Sequence, residues 1–71
     1  MLTGYTQWKE ELVVSDEQGR SFCFSCGWGV EPPVAYVPAD WPGSVPDWLR
    51  DRRGEVLAVM ESLGHVVREW P

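Results

Sequence analysis

Residues 6–26 decide the fold: Thr6-Gln7-Trp8-Lys9-Glu10-Glu11-Leu12-Val13-Val14, then Ser15-Asp16-Glu17-Gln18-Gly19, then Arg20-Ser21-Phe22-Cys23-Phe24-Ser25-Cys26. In an extended chain successive side chains point to opposite faces. Trp8, Glu10, Leu12 and Val14 then share one side, and Lys9, Glu11 and Val13 the other. In the last stretch Phe22, Phe24 and Cys26 alternate with Ser21, Cys23 and Ser25. The middle stretch is a turn, with Gly19 free to take positive φ. Two alternating runs joined by a glycine-bearing loop predict a β-hairpin.

Outward from the hairpin, Gly27-Trp28-Gly29-Val30-Glu31-Pro32-Pro33 has too much glycine and proline for a strand interior. Val34-Ala35-Tyr36-Val37 predicts a short third strand closed by Pro38. Residues 39–43 predict a second loop, carrying Asp40 and Trp41. Ser44-Val45-Pro46-Asp47 has the form of a capping box with proline in the first turn. Val45, Trp48, Leu49, Val56, Val59, Met60 and Leu63 then recur at helical spacing. The spacing predicts one amphipathic helix over 45–63, stopped by Gly64, with Gly54 as the point where it would kink. His65-Val66-Val67-Arg68-Glu69-Trp70 predicts a final strand over 65–70. The expected fold class is α+β, a small two-layer domain spanning residues 1–71. Its antiparallel sheet holds the hairpin, the third strand (all within 6–37) and the C-terminal strand. The order is β-β-β-α-β, with one long helix across one face.

The 71-residue chain is 44% hydrophobic and 24% charged, which suits a globular domain and not a disordered one. So short a chain has a thin stability margin. Five tryptophans help to fill its core. The net charge is −5. Residues 1–43 carry six acids against Lys9 and Arg20, and residues 44–71 carry five acids against four arginines. That balance excludes a basic footprint for nucleic acid or an anionic membrane surface. It leaves room for a protein partner with a basic surface. No apolar run is long enough to span a bilayer, and the N-terminus does not read as a signal peptide. Two cysteines do not make a secreted disulfide scaffold. A cytoplasmic location is therefore expected.

Cys23-Phe24-Ser25-Cys26-Gly27 is the most specific motif. Cys-x-x-Cys-Gly can curl into a zinc knuckle, but zinc takes four ligands. His65 is the single histidine, so a site would need Cys23, Cys26, His65 and a carboxylate, or two chains bridged by one zinc. The same spacing serves thiol redox chemistry at a helix N-terminus. At a strand end the two thiols face opposite ways, and two ordinary packing residues are the plainer reading. For His65 the plainer reading is an exposed strand residue. Arg52, inside the apolar stripe, is expected to lay its stem over an aromatic ring and reach water or a carboxylate with its head.

The carboxylates show no catalytic pairing, and no Gly-rich phosphate loop is present. The chain therefore reads as a non-enzyme without cofactors. Its expected function is that of a small acidic interaction module: an adaptor, inhibitor or immunity-type binder that occupies a surface. A zinc-binding or zinc-bridged dimer and a thiol redox protein are the alternatives. The candidate protein-binding residues are Trp28 and Trp41, with Glu31 and Asp40 beside them, because loop tryptophans are enriched at interface hot spots. Such tryptophans also fold back as lids on a small core.

Overall fold

The computed structural model describes residues 1–8, 10–27 and 32–70, and the backbone alone at Trp8. The chain runs β1 (Thr3–Trp8), β2 (Glu11–Ser15), β3 (Ser21–Ser25), β4 (Val34–Val37), α1 (Trp41–Ser44), α2 (Asp47–Arg50), α3 (Arg53–Ser62) and β5 (Val66–Glu69). Strands β1-β2-β3 form an antiparallel sheet, and β4 and β5 form a parallel pair. The result is a small, compact α+β structure.

The expected hairpin is β2–β3, with Leu12 opposite Phe24 and Val14 opposite Phe22. Its turn is built on Asp16. The Asp16 carboxylate accepts from the backbone N–H groups of Gln18 (3.0 Å) and Arg20 (2.8 Å) and from the Arg20 guanidinium (2.7 Å). Gly19 takes φ +81°, the left-handed region that glycine enters without steric cost.

Three features differ from the sequence reading. The run 6–14 is not one strand. β1 starts earlier, at Thr3, and the chain reverses before β2, so that Tyr5 lies opposite Val13. The pairing is irregular between Thr6 and Trp8. No Gly, Pro or Asn marks that reversal, and the alternation carries on through it.

The predicted helix 45–63 is two short helices, α2 and α3, and α1 occupies part of the stretch 39–43 that was expected to be a loop. Val45 (φ −122°, ψ 156°) and Pro46 (φ −66°, ψ 160°) are extended between α1 and α2. Proline disfavours helical backbone at the residue before it, so Ser44 ends a helix and does not cap one. A second break falls at Asp51 and Arg52, three residues before Gly54, which lies inside α3. The apolar spacing nevertheless finds the core: Leu49, Val56 and Met60 are fully buried, and Val45 is buried. Leu63 is exposed, and Trp48 packs at the core's edge.

The C-terminal strand pairs parallel with β4 and not antiparallel in a common sheet. A parallel pair needs a long crossover, and α1–α3 supply it. Gly64 ends α3 at φ +87°. Its N–H donates to the Glu61 carbonyl and that of His65 to the Met60 carbonyl, both at 3.0 Å, the Schellman arrangement that satisfies a helix's last carbonyls.

One core joins both sheets and all three helices. It contains Leu12, Val14 and Phe24 of the first sheet, Ala35 and Val37 of β4, and Trp41, Leu49, Val56 and Met60 of the helices. At Gly4 the strand and helix meet most closely. A Cβ there would lie 2.4 Å from Val59 Cγ1 and 3.2 Å from the Val13 carbonyl oxygen. Gly4→Ala should therefore destabilise by about 1–3 kcal/mol through overpacking. The double variant Gly4→Ala/Val59→Ala should lose about 1 kcal/mol less than the sum of the single variants. Denaturant titration of the four proteins checks this, and strict additivity would contradict the contact.

Arg52 staples the β2–β3 turn to the start of α3. Its guanidinium donates to both carboxylate oxygens of Glu17 (3.0 and 2.8 Å) and to both of Glu55 (2.8 Å each). The Met1 ammonium also reaches Glu17. The head of Arg52 thus reaches carboxylates, as the sequence reading expects. It is Arg20 that lies over an indole, 5.4 Å from the Trp48 ring centre.

Arg52, with the Met1 ammonium second, holds the Glu17 carboxyl well below its usual 4.5, and Arg52 also lowers Glu55. At Asp16 burial pushes the pKa up, but the bonds from Arg20 and Gln18 outweigh it and the net shift is down. All three carboxylates bind protons less readily when folded than when unfolded. Their contribution is complete above the unfolded pKa and is lost as the pH falls below it. The thermal midpoint should fall as the pH is lowered from about 4.5. The fall should be shallower in Arg52→Gln, which releases Glu17 and Glu55 together. Thermal melts from pH 6 down to about pH 2 check this, and parallel profiles for the two proteins would contradict it.

Candidate interaction surface

Trp28 and Glu31 lie outside the described residues. Trp41 is not on a loop. It opens α1, is 6% exposed, and stacks on Phe24 with ring centres 5.8 Å apart and planes 5° from parallel. Its Nε1–H donates to the Arg50 carbonyl at 2.9 Å. Those contacts tie α1 to the end of α2 and to the first sheet. Asp40, just before it, is exposed, and its carboxylate lies over Gly43.

Cys23 is exposed and Cys26 is buried in the core, as the strand alternation requires. Burial first, and then the carboxylate of Glu11 at 3.5 Å, push the Cys23 thiol above its usual range. Burial, with Glu10 and Glu11, does the same to Cys26. Both shifts oppose the thiolate that metal ligation and thiol exchange use. Among the described residues no cluster of three or more His, Cys, Asp or Glu side chains could hold a metal ion. His65 is buried, not exposed as the sequence suggested, and its Nδ1 has no hydrogen-bond partner among the described residues. The Schellman turn and the register of β5 put it on the same side of the strand as Val67, which packs against the core.

The strands carry a second face, opposite the core. Tyr5, Val13 and Cys23 sit side by side there, and Glu11 lies next to Ser25. Tyr36 and Arg68 are neighbours across β4–β5, as are Val34 and Val66. Trp70 is anchored by its N–H to the Val37 carbonyl (2.9 Å). Its indole meets the Tyr36 ring edge-on, 6.1 Å between centres. It remains 67% exposed. Tyr5 and Val66 are exposed too.

Beside this aromatic pair the two sheets part. An antiparallel bridge joins Cys26 to Ala35, and the Gly27 N–H donates to the Val34 carbonyl (2.6 Å). Beyond that bridge β3 and β4 are not paired in one sheet, and between them lies a slot of 180 Å³, lined by Phe22, Cys23, Phe24, Ser25, Tyr36, Val37, Pro38, Ser44 and Trp70. Among the described residues no lining residue is charged. A hollow of 240 Å³ adjoins it and shares Ser25, Tyr36 and Trp70. A larger groove of 480 Å³ between β1 and α3 is lined by Leu2, Ala58 and Val59 among others. Among the described residues it offers no aromatic anchor, and its one acid, Glu55, is taken up by Arg52.

The sequence reading missed the Tyr36–Trp70 pair. The alternation Val66, Arg68, Trp70 carries the signal for one face, but only the parallel pairing of β5 with β4 brings Trp70 beside Tyr36. No described helix is long and apolar enough to cross a membrane. Comparison with protein families, with characterised proteins and with solved structures finds no match for this chain.

Proposed function

We propose that this chain is a protein-interaction module, not a catalyst, that acts in the cytoplasm by occupying a surface of a protein partner. The observation that supports this most is Trp70: a tryptophan 67% exposed, braced on Tyr36 and set beside an uncharged slot. Tryptophan and tyrosine are the residue types most enriched at interface hot spots, and they lose little conformational entropy on binding. A net charge of −5 favours a partner with a basic surface. The interface so proposed centres on Tyr36 and Trp70, and Trp41 serves the core. Zinc and thiol readings gain nothing from two thiols on opposite faces of a strand, both beside acidic groups.

The test is capture from native lysate, identification of the partner by mass spectrometry, and titration calorimetry of the purified pair. Trp70→Ala should weaken binding by about 2 kcal/mol or more, roughly thirtyfold. Its thermal midpoint should stay near that of the parent, because so exposed a side chain contributes little to the core. Unchanged affinity in the Trp70→Ala protein would remove this surface from the proposal.

A further inference from the structure

We propose that the β3 edge receives an extended segment of the partner by strand addition, with an apolar side chain seated against Tyr36 and Trp70 and a basic side chain directed to Glu11. The inference rests on the reading above and adds the mode of binding and the chemistry of the segment.

In an antiparallel ladder bonded and non-bonded pairs alternate. The Cys26 N–H donates to the Glu10 carbonyl (3.0 Å), toward β2, and the Gly27 N–H donates to Val34, toward β4. By that alternation Phe22 and Phe24 direct their backbone groups to β2. Ser21 and Cys23 direct theirs away from it, to the side of β3 that faces the slot. Among the described residues β3 and β4 are not paired in one sheet, and the bridge between them is Cys26–Ala35. Two donors and two acceptors thus stand open along the rim of the slot. Open strand edges are templates for another strand, and main-chain bonds of this kind supply affinity when a peptide augments a sheet.

The slot specifies the side chains. Its 180 Å³ suits one apolar side chain, and its uncharged lining would leave a charge there without a partner. The Glu11 carboxylate leans over β3 to within 3.5 Å of Cys23 Sγ. It supplies negative charge next to the residue that a docked strand would face, which selects lysine or arginine at that position. Arg68 sits beyond Tyr36, on the strand farther from β3.

The test is a selection of displayed random linear peptides against the full chain, followed by synthesis of the enriched sequences. The expected peptides carry one apolar residue and a lysine or arginine in an otherwise β-prone segment. N-methylation of the peptide backbone at the bonding positions should cut affinity by at least about tenfold. Trp70→Ala should do the same, and Glu11→Gln should reduce the preference for the basic residue. Enrichment of nothing, or of peptides indifferent to N-methylation and to Trp70→Ala, overturns strand addition at β3. In that event loss of the lysate partner on Trp70→Ala would still uphold the interface reading. Its retention would sink both.

Discussion

Leu49→Asp should leave a protein without a cooperative thermal transition. Leu49 is fully exposed to the core and not at all to solvent, in the middle of a four-residue helix. A chain of 71 residues has a total stability of roughly 4–11 kcal/mol. Placing an unpaired carboxylate among Trp41, Val56 and Met60 consumes much of that, because no partner for it is available in an apolar core. The milder Leu49→Ala should cost about 2–5 kcal/mol, the lost burial plus the cavity left behind. Circular dichroism melts of both variants measure this. A retained transition in Leu49→Asp would mean that α2 does not face the core.

Trp41→Ala should be nearly as damaging, at about 3–5 kcal/mol. For a chain of this size that is a fall of more than about 12 °C in the midpoint. The indole is buried, stacked on Phe24 and bonded to the Arg50 carbonyl. Trp41→Phe separates these contributions: it keeps a ring on Phe24 and gives up the hydrogen bond, for a smaller loss of about 1 kcal/mol plus the reduced ring area. An interface tryptophan behaves in the opposite way, losing affinity while the melt stays put. A Trp41→Ala protein with an unaltered midpoint would contradict the packing described for α1.

The same two residues show how far the sequence could be read. Leu49 was legible. The spacing from Val45 through Leu49 and Val56 to Met60 places the buried positions even though the chain is extended at Val45 and Pro46 and the helix is broken at Asp51 and Arg52. Burial follows the spacing of apolar side chains, and the core accepts them from two short helices and the extended residue before them as readily as from one long helix. The first break had its cue in Pro46, whose ring disfavours helical backbone at Val45. The second, at Asp51 and Arg52, has no proline or glycine. It goes with the bonds of the Arg52 guanidinium to Glu17, 35 residues away in sequence, a tertiary contact that local reading cannot see.

Trp41 was legible as an apolar anchor but not in its location. Between Asp40 and Pro42 it reads as a loop residue, whereas Pro42 in fact falls in the first turn of α1, where proline is tolerated. The alternation of β3 was fully legible and placed Phe24 and Cys26 inward and Cys23 outward. The reversal between β1 and β2 was not, because Lys9 and Glu10 continue the alternation where a turn residue would have broken it. The Tyr36–Trp70 surface needed the parallel register of β5 on β4. Strand patterns reveal which side chains share a face, but not which strand lies alongside.

The most direct test of the interaction account is amide and indole chemical-shift mapping of the isotope-labelled chain as the identified partner is added. The account predicts that the largest changes cluster at Ser21, Cys23, Ser25, Tyr36 and the Trp70 indole, with the Trp41 indole little affected. Changes centred instead on Ala58, Val59 and Ser62 of α3, with Tyr36 and Trp70 unmoved, would contradict it.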